Sequence, residues 1–265
     1  MWQHPEMAEP AVDHEPSIGV IEDVFDLTVA MGRVLSDEQG ELRTDCPGWT
    51  VKDQFAHIVG LEQVLVGSPH SDVELPDLDH IMNDVGRYME QQVHVRRQLP
   101  LQAVVDELAG LAPRRIAQLR SQAAEGDPEV AGLMGTRRPL SAGLGIRGFD
   151  LWTHEQDIRR AVGLDARMDC RAGQQAVERT VGAWMAMLPD RVEANGSMML
   201  DVDGKGPVVI TFGGEGSSIS LTMSGEVATR LGCGRGHPTA VLTEAQMSGD
   251  PDLIAAVVPH LAFTP

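Results

Sequence analysis

Apolar residues recur at two different intervals along this chain, and the change between them limits the fold more than any other feature. From Ser17 to about Ala161 the interval is three to four residues; after Asn195 it is two. The first spacing lays an apolar stripe along a helix, and the second makes one face of a strand apolar. In IGVIEDVFDLTVAMGRVL, Ile21, Val24, Phe25, Met31 and Leu35 share a face, flanked by Val20, Leu27 and Val34. In DCPGWTVKDQFAHIVGLEQVLVG, Pro47-Gly48 marks a turn, and Thr50 with Asp53 forms a T-x-x-D helix start. Val51, Phe55, Ile58, Val59 and Val66 follow on one face, which predicts a helix from about Val51 to Leu65. A third helical region starts near Leu78, breaks near Pro100 and resumes through LQAVVDELAGLAPRRIAQLRSQAA. EGDPEVAGLMGTRRPLS reads as a loop, and a last helix runs from about Leu140 to Ala161. Four principal helical regions predict an antiparallel four-helix bundle.

Beyond Leu164 the character changes. One more helix fits GQQAVERTVGAWMAML. SMMLDV, GPVVITFG and SSISLTMSG then alternate in polarity between DGKG and GGEG turns, the pattern of a β-meander. Met198, Met199, Val209, Ile210, Phe212, Ile219 and Leu221 read as its core residues. EVATRLGCG reads as a short helix, TAVLTEAQMSG as strand and turn, and DPDLIAAVVPHL as a closing helix. The expected organisation is a loose, disordered tail over 1–16, an all-α bundle over 17–165 and an α+β domain over 166–265. Aromatic residues are only 4% of the chain, so Leu, Val, Ile, Ala and the 13 Met must fill both cores.

The formal net charge of −18 argues against nucleic acid and anionic membranes as partners. Cys46, Cys170 and Cys233 form no C-x-x-C pair and are odd in number, which argues against a disulfide scaffold or a Cys-rich metal site. The acidic, Pro-rich start lacks the apolar stretch of a signal peptide, and no apolar run is long enough to span a bilayer. A cytoplasmic protein is expected. Nothing in the sequence specifies an oligomeric state.

Nine histidines offer imidazole chemistry. His4, His14, His70, His237 and His260 read as exposed or capping, and His80 and His94 are ambiguous. His57 and His154 differ, because both sit in the middle of helices among apolar neighbours. Asp150 and His154 stand four residues apart, so a carboxylate and an imidazole share one helix face and both can reach one ion. A histidine from a facing helix would complete a His₂-carboxylate set, which leaves a fourth position open as catalytic zinc sites do. Spacing alone favours an ordinary salt-bridged or hydrogen-bonded surface pair over a metal site. Glu155 and Asp157 read as solvated residues near Arg159 and Arg160; alternatively Asp157 or Glu62 is an acceptor for a ligand's free ring N–H.

Two blocks of sequence carry a resemblance. PGWTVKDQFAHIVGLE at 47–62 and RGFDLWTHEQDIRRAVG at 147–163 resemble the signatures of the mycothiol-dependent maleylpyruvate isomerase family, whose bundle belongs to the DinB-like metal-binding folds. MNDVGRYMEQQVHVRRQLP at 82–100 has the family's look, and the C-terminal part, ending in SGDPDLIAAVVPHLAFTP, is similar to the sterol-carrier-like domain that often follows the bundle. The resemblance implies a two-domain chain, a DinB-like four-helix bundle followed by an α+β sterol-carrier-like domain. It implies His57, Asp150 and His154 as ligands of Zn²⁺ or another divalent metal. The better-known pattern carries Glu where this chain has Asp150, one methylene shorter, and zinc accepts Asp oxygen at about 2.0–2.2 Å. Nickel, manganese and iron suit the same ligand types.

The implied cofactor is mycothiol or another low-molecular-weight thiol, activated as a thiolate toward a small-molecule electrophile. The implied activity is a maleylpyruvate-type isomerase or a thiol S-transferase. Arg147 either grips a substrate or cofactor carboxylate or forms a salt bridge inside the bundle. Cys46 and Cys233 read as silent. The competing expectation is a regulatory protein that binds a metal or an apolar ligand without catalysis.

Overall fold

The computed structural model describes residues 12–264. Of the tail expected over 1–16, residues 1–11 lie outside the described residues. The helix α1 already begins at Glu15 (Glu15–Gly32), with Pro16 in its first turn, where a missing N–H costs nothing. His14, expected to be exposed or capping, stands at the N-cap of α1 without a side-chain cap bond and is buried, its Nε2 2.9 Å from the Gly126 carbonyl. A single turn α2 (Asp37–Gly40) leads to α3 (Val51–Leu65), followed by α4 (Asp84–His94) and α5 (Leu101–Ala123). The third helical region thus starts at Asn83, whose side chain caps α4, and not at Leu78. The bundle closes with α6 (Leu140–Ala161). α1 and α3 each pack on both α5 and α6. Phe25, Phe55, Ile58, Val105, Leu108 and Trp152 lie in the shared core.

Between α5 and α6 the expected loop contains an antiparallel hairpin of β1 (Glu129–Ala131) and β2 (Arg137–Pro139). Strands of three residues are too short to show an alternating pattern. At the tip Met134 has φ +54° and Gly135 φ +74°.

α7 (Arg171–Arg191) belongs to two cores. Ala172 and Ala176 bury against the bundle, whereas Val177, Trp184 and Leu188 bury against a four-stranded sheet. The strands are β3 (Gly196–Val202), β4 (Val208–Phe212), β5 (Ser217–Met223) and β6 (Gln246–Gly249), in the order β4-β3-β5-β6. β3 and β5 run parallel, so the meander expectation is wrong. β4 ends beside Gly196 at the start of β3, and β5 begins on that residue's other side. The Gly213–Gly216 link therefore passes under β3 instead of turning back on β4. Its glycines make that passage possible: a Cβ on Gly216 would lie 2.2 Å from the Asn195 carbonyl oxygen. Asn195 Oδ1 holds the link by accepting from the Gly214 N–H at 3.0 Å.

Met198, Ile210, Phe212, Ile219 and Leu221 face the second core as expected, but Met199 and Val209 pair on the outer face and are exposed. After α8 (Gly225–Gly232), TAVLTEAQMSG is helical in its first half, α9 (Pro238–Val241) and a 3₁₀ turn, and β6 occupies only its end. Pro238 opens α9 with the φ a first helical turn needs. The closing helix is α10 (Pro251–Val257). Among the described residues no helix is long and apolar enough to cross a membrane.

Candidate metal centre

The start of α3 sets the angular position of everything it carries. Gly48 turns the chain at φ +80°, where a Cβ would strike the His80 ring at 2.3 Å. Thr50 Oγ1 accepts from the Asp53 N–H and Asp53 Oδ2 accepts from the Thr50 N–H, a reciprocal cap. Arg97, in the turn after α4, holds Asp53 at 3.2 Å. With the first turn locked, Gln54, His57 and Leu61 follow at three- and four-residue spacing on the inward face, and all are buried. Trp49 is tied back by its Nε1–H to Glu90 Oε2 at 2.8 Å. Its ring lies over both site imidazoles, 4.8 Å from His57 and 5.8 Å from His154 between centroids, and walls that side with apolar surface.

α6 supplies Arg147, Asp150, His154 and Asp157 at three- and four-residue steps. Residues 151–158 are all buried, so this stretch has no solvated edge. Its acids are instead paired. Glu155 accepts from Arg159 and Arg167, and Asp157 from Arg160 at 2.6 Å and Arg235 at 2.8 Å. Arg235 lies beyond α8, in the C-terminal part of the chain.

His57, Asp150 and His154 meet with one ligand atom each, all within 4.8 Å of one another. His57 Nε2 stands 3.6 Å from Asp150 Oδ2, and His154 Nε2 stands 3.5 Å from Asp150 Oδ1. A tetrahedral ion with bonds of about 2.0–2.1 Å spaces its donors about 3.3 Å apart, close to these values. Both ring nitrogens of His57 are buried without a hydrogen-bond partner, which is costly unless something accepts the lone pair.

For His154 the tautomer follows from a chain of donors. Thr44 Oγ1 donates to the Trp49 carbonyl, and Gln54 Nε2 donates to Thr44 Oγ1 at 2.8 Å. Gln54 Oε1 is therefore left to accept from His154 Nδ1–H at 2.5 Å, and the Nε2 lone pair faces Asp150. Asp157 Oδ2 is 3.7 Å from the same Nδ1. Gln54 and Arg235 escaped the sequence reading. Gln54 left a faint sign, a polar side chain one turn before His57 on an inward face; Arg235 left none, because its Gly-rich loop has no periodicity.

Burial, helped by the neighbouring His154, pushes the His57 imidazole down to about 4, so it is neutral at neutral pH. Burial alone would raise the Asp150 carboxyl, but Arg147 and the two imidazoles outweigh it and hold it well below the usual carboxylate range. Neutral imidazole plus ionised carboxylate is the donor state a divalent cation requires.

Arg147 lies within this network. Its Nε donates to Glu62 Oε1 at 2.5 Å and its Nη1 to Asp150 Oδ2, while Arg115 holds the other Glu62 oxygen at 2.8 Å. Glu62 is thus engaged by two arginines and not by a ring N–H. Arg147 Nη2 is buried with no partner. Beside Arg147 and Asp150 a cavity of about 120 Å³ opens, walled by the β1–β2 hairpin and α6. Cys46 and Cys233 are both pushed up to about 11, mainly by burial, which leaves them protonated thiols.

The model of the mycothiol maleylpyruvate isomerase N-terminal domain family matches residues 22–159, just over half of the chain. The chain belongs to this family. The matched span carries His57, Asp150 and His154 and ends within α6. Among solved structures, the crystal structure of the mycothiol-dependent maleylpyruvate isomerase superposes with a TM-score of 0.65 at 14% identity, covering 89% of this chain and 93% of that one. A histidine-to-alanine mutant of that isomerase superposes at 0.63 and 13% identity over the same shares. At such identities the likeness is one of fold, and it extends beyond the family's N-terminal domain into the sheet. No curated protein matches the chain.

Proposed function

We propose that the protein is a metal-dependent enzyme that uses mycothiol or a similar small thiol against an electrophilic substrate, as a maleylpyruvate-type isomerase or a thiol S-transferase. One observation carries this reading: a His₂-carboxylate cluster with both imidazoles buried, in which neither nitrogen of His57 has a hydrogen-bond partner. His57, Asp150 and His154 would hold the cation, zinc being the first choice for such donors. Held there, it would supply Lewis acidity, which lowers the pKa of a thiol toward neutral pH. The protein's own groups set the stage. Gln54 fixes which nitrogen of His154 is free, Arg147 keeps Asp150 ionised, and the Trp49 ring excludes water from one side. In the isomerase the thiolate adds to a conjugated double bond, the resulting single bond rotates, and the thiolate leaves. In the transferase it stays and a leaving group departs.

Metal analysis of the purified protein tests the site directly. The wild type should carry close to one divalent ion per chain and His154→Ala far less; full occupancy in that variant defeats the proposal. A zinc-loaded protein that turns over no electrophile with mycothiol, glutathione or bacillithiol removes the enzymatic part.

A further inference from the structure

The cavity beside the metal cluster has a composition at odds with the rest of this acidic chain. Its walls are Leu61, Leu119, Val130, Leu133, Leu140 and Leu144, and its only charged groups are Arg115, Arg138, Arg147 and Asp150. Glu62 sits behind it, engaged by Arg115 and Arg147. Three guanidinium groups thus face two carboxylates. The unmatched one is Arg138 of β2, which has no carboxylate within 4.0 Å among the described residues, although the chain carries 39 acids against 21 bases. Among the described residues its one side-chain hydrogen bond runs from Nη2 to Thr136 Oγ1 at 3.2 Å, and its Nε is buried and unpartnered. Arg147 Nη2 in the same wall is buried and unpartnered as well. Gly132 leaves Arg138 its place, since a Cβ there would come within 3.2 Å of Nε. Two idle guanidinium donors and one excess positive charge beside an apolar hollow describe an anion with an apolar body. The hollow measures about 120 Å³, below the about 150 Å³ of a cavity that holds benzene, so its apolar occupant is no larger than one ring.

We infer that the electrophile this site accepts is a monocarboxylate with one compact, ring-sized apolar group, seated in this cavity with its carboxylate on Arg138. The inference rests on the thiol-enzyme reading for the identity of the reactant. Asp150 belongs both to the cavity wall and to the metal cluster, so a molecule seated here adjoins the reacting thiol.

Calorimetric titration of the full-length, zinc-loaded protein with benzoate, acetate and benzamide tests it. Benzoate should bind about tenfold or more tightly than acetate, which lacks the ring, or benzamide, which lacks the charge. Arg138→Gln should bring benzoate down to the level of benzamide with zinc content unchanged, and Arg138→Lys should restore part of the loss. Equal benzoate affinity in wild type and Arg138→Gln overturns the inference, as does acetate binding as tightly as benzoate. Mycothiol should bind to the benzoate-saturated protein; competition between them would put the carboxylate in the thiol's place and overturn the assignment to the electrophile. Failure of the thiol reading shows up separately, as no zinc-dependent thiolate absorbance with mycothiol, while the benzoate affinities stand.

Discussion

His57 is kept neutral by its surroundings, and the whole protein feels it. The unfolded chain protonates this imidazole near pH 6.5, the native protein only near pH 4. Between those values the unfolded state binds more protons, so stability falls as pH falls. The gap corresponds to about 3 kcal/mol. Metal-free protein should therefore lose melting temperature between pH 6.5 and 4, and His57→Leu should flatten that part of the profile. The Asp150 carboxylate, held low by Arg147 against its burial, adds a loss of the same sign at still lower pH. Gln54 is the quieter partner. Gln54→Leu should weaken zinc binding about 10–100-fold, read by competition with a chromogenic chelator, because His154 loses the acceptor that fixes its tautomer. The Asp150–His154 pair of the cluster was legible as a spacing, and His57 only through the resemblance; the burial of Glu155 and Asp157 was not, because the arginines that permit it, Arg167 and Arg235, stand outside α6.

Elements divide by how local their signals are. α3 and α6 run over the spans their sequences predict, Val51–Leu65 and Leu140–Ala161, because a capping box and a proline mark their starts within a few residues. Thr50→Ala should cost about 1 kcal/mol in denaturant unfolding, the usual worth of such a cap. Gly48→Ala should cost more, since it adds a left-handed φ penalty to a collision with His80. The parallel β3–β5 pair was illegible for the opposite reason. GGEG serves equally as a hairpin turn or as a link beneath a strand, and only the nearness of Asn195 decides between them. Three-residue strands such as β1 and β2 lie below what any periodicity can register.

On the scale of the whole molecule, bundle and sheet meet at charged and apolar contacts together. Arg235 reaches from the C-terminal part to Asp157 on α6, and Phe263 stacks near Phe149 at 6.0 Å. Arg235→Leu leaves Asp157 a buried carboxylate with Arg160 as its one remaining arginine, and should destabilise the protein by about 3 kcal/mol in urea titration. Adding Asp157→Leu should recover part of that loss, because no unpaired charge then remains. α7 has a mechanical consequence of its own. One continuous helix is anchored in the bundle by Ala172 and Ala176 and in the sheet by Trp184 and Leu188, so it works as a splint across the junction. A clamshell motion of the two halves would have to bend that splint. The cavity beside the His57–Asp150–His154 cluster lies wholly on the bundle side of that splint, lined from α3, α5, the β1–β2 hairpin and α6.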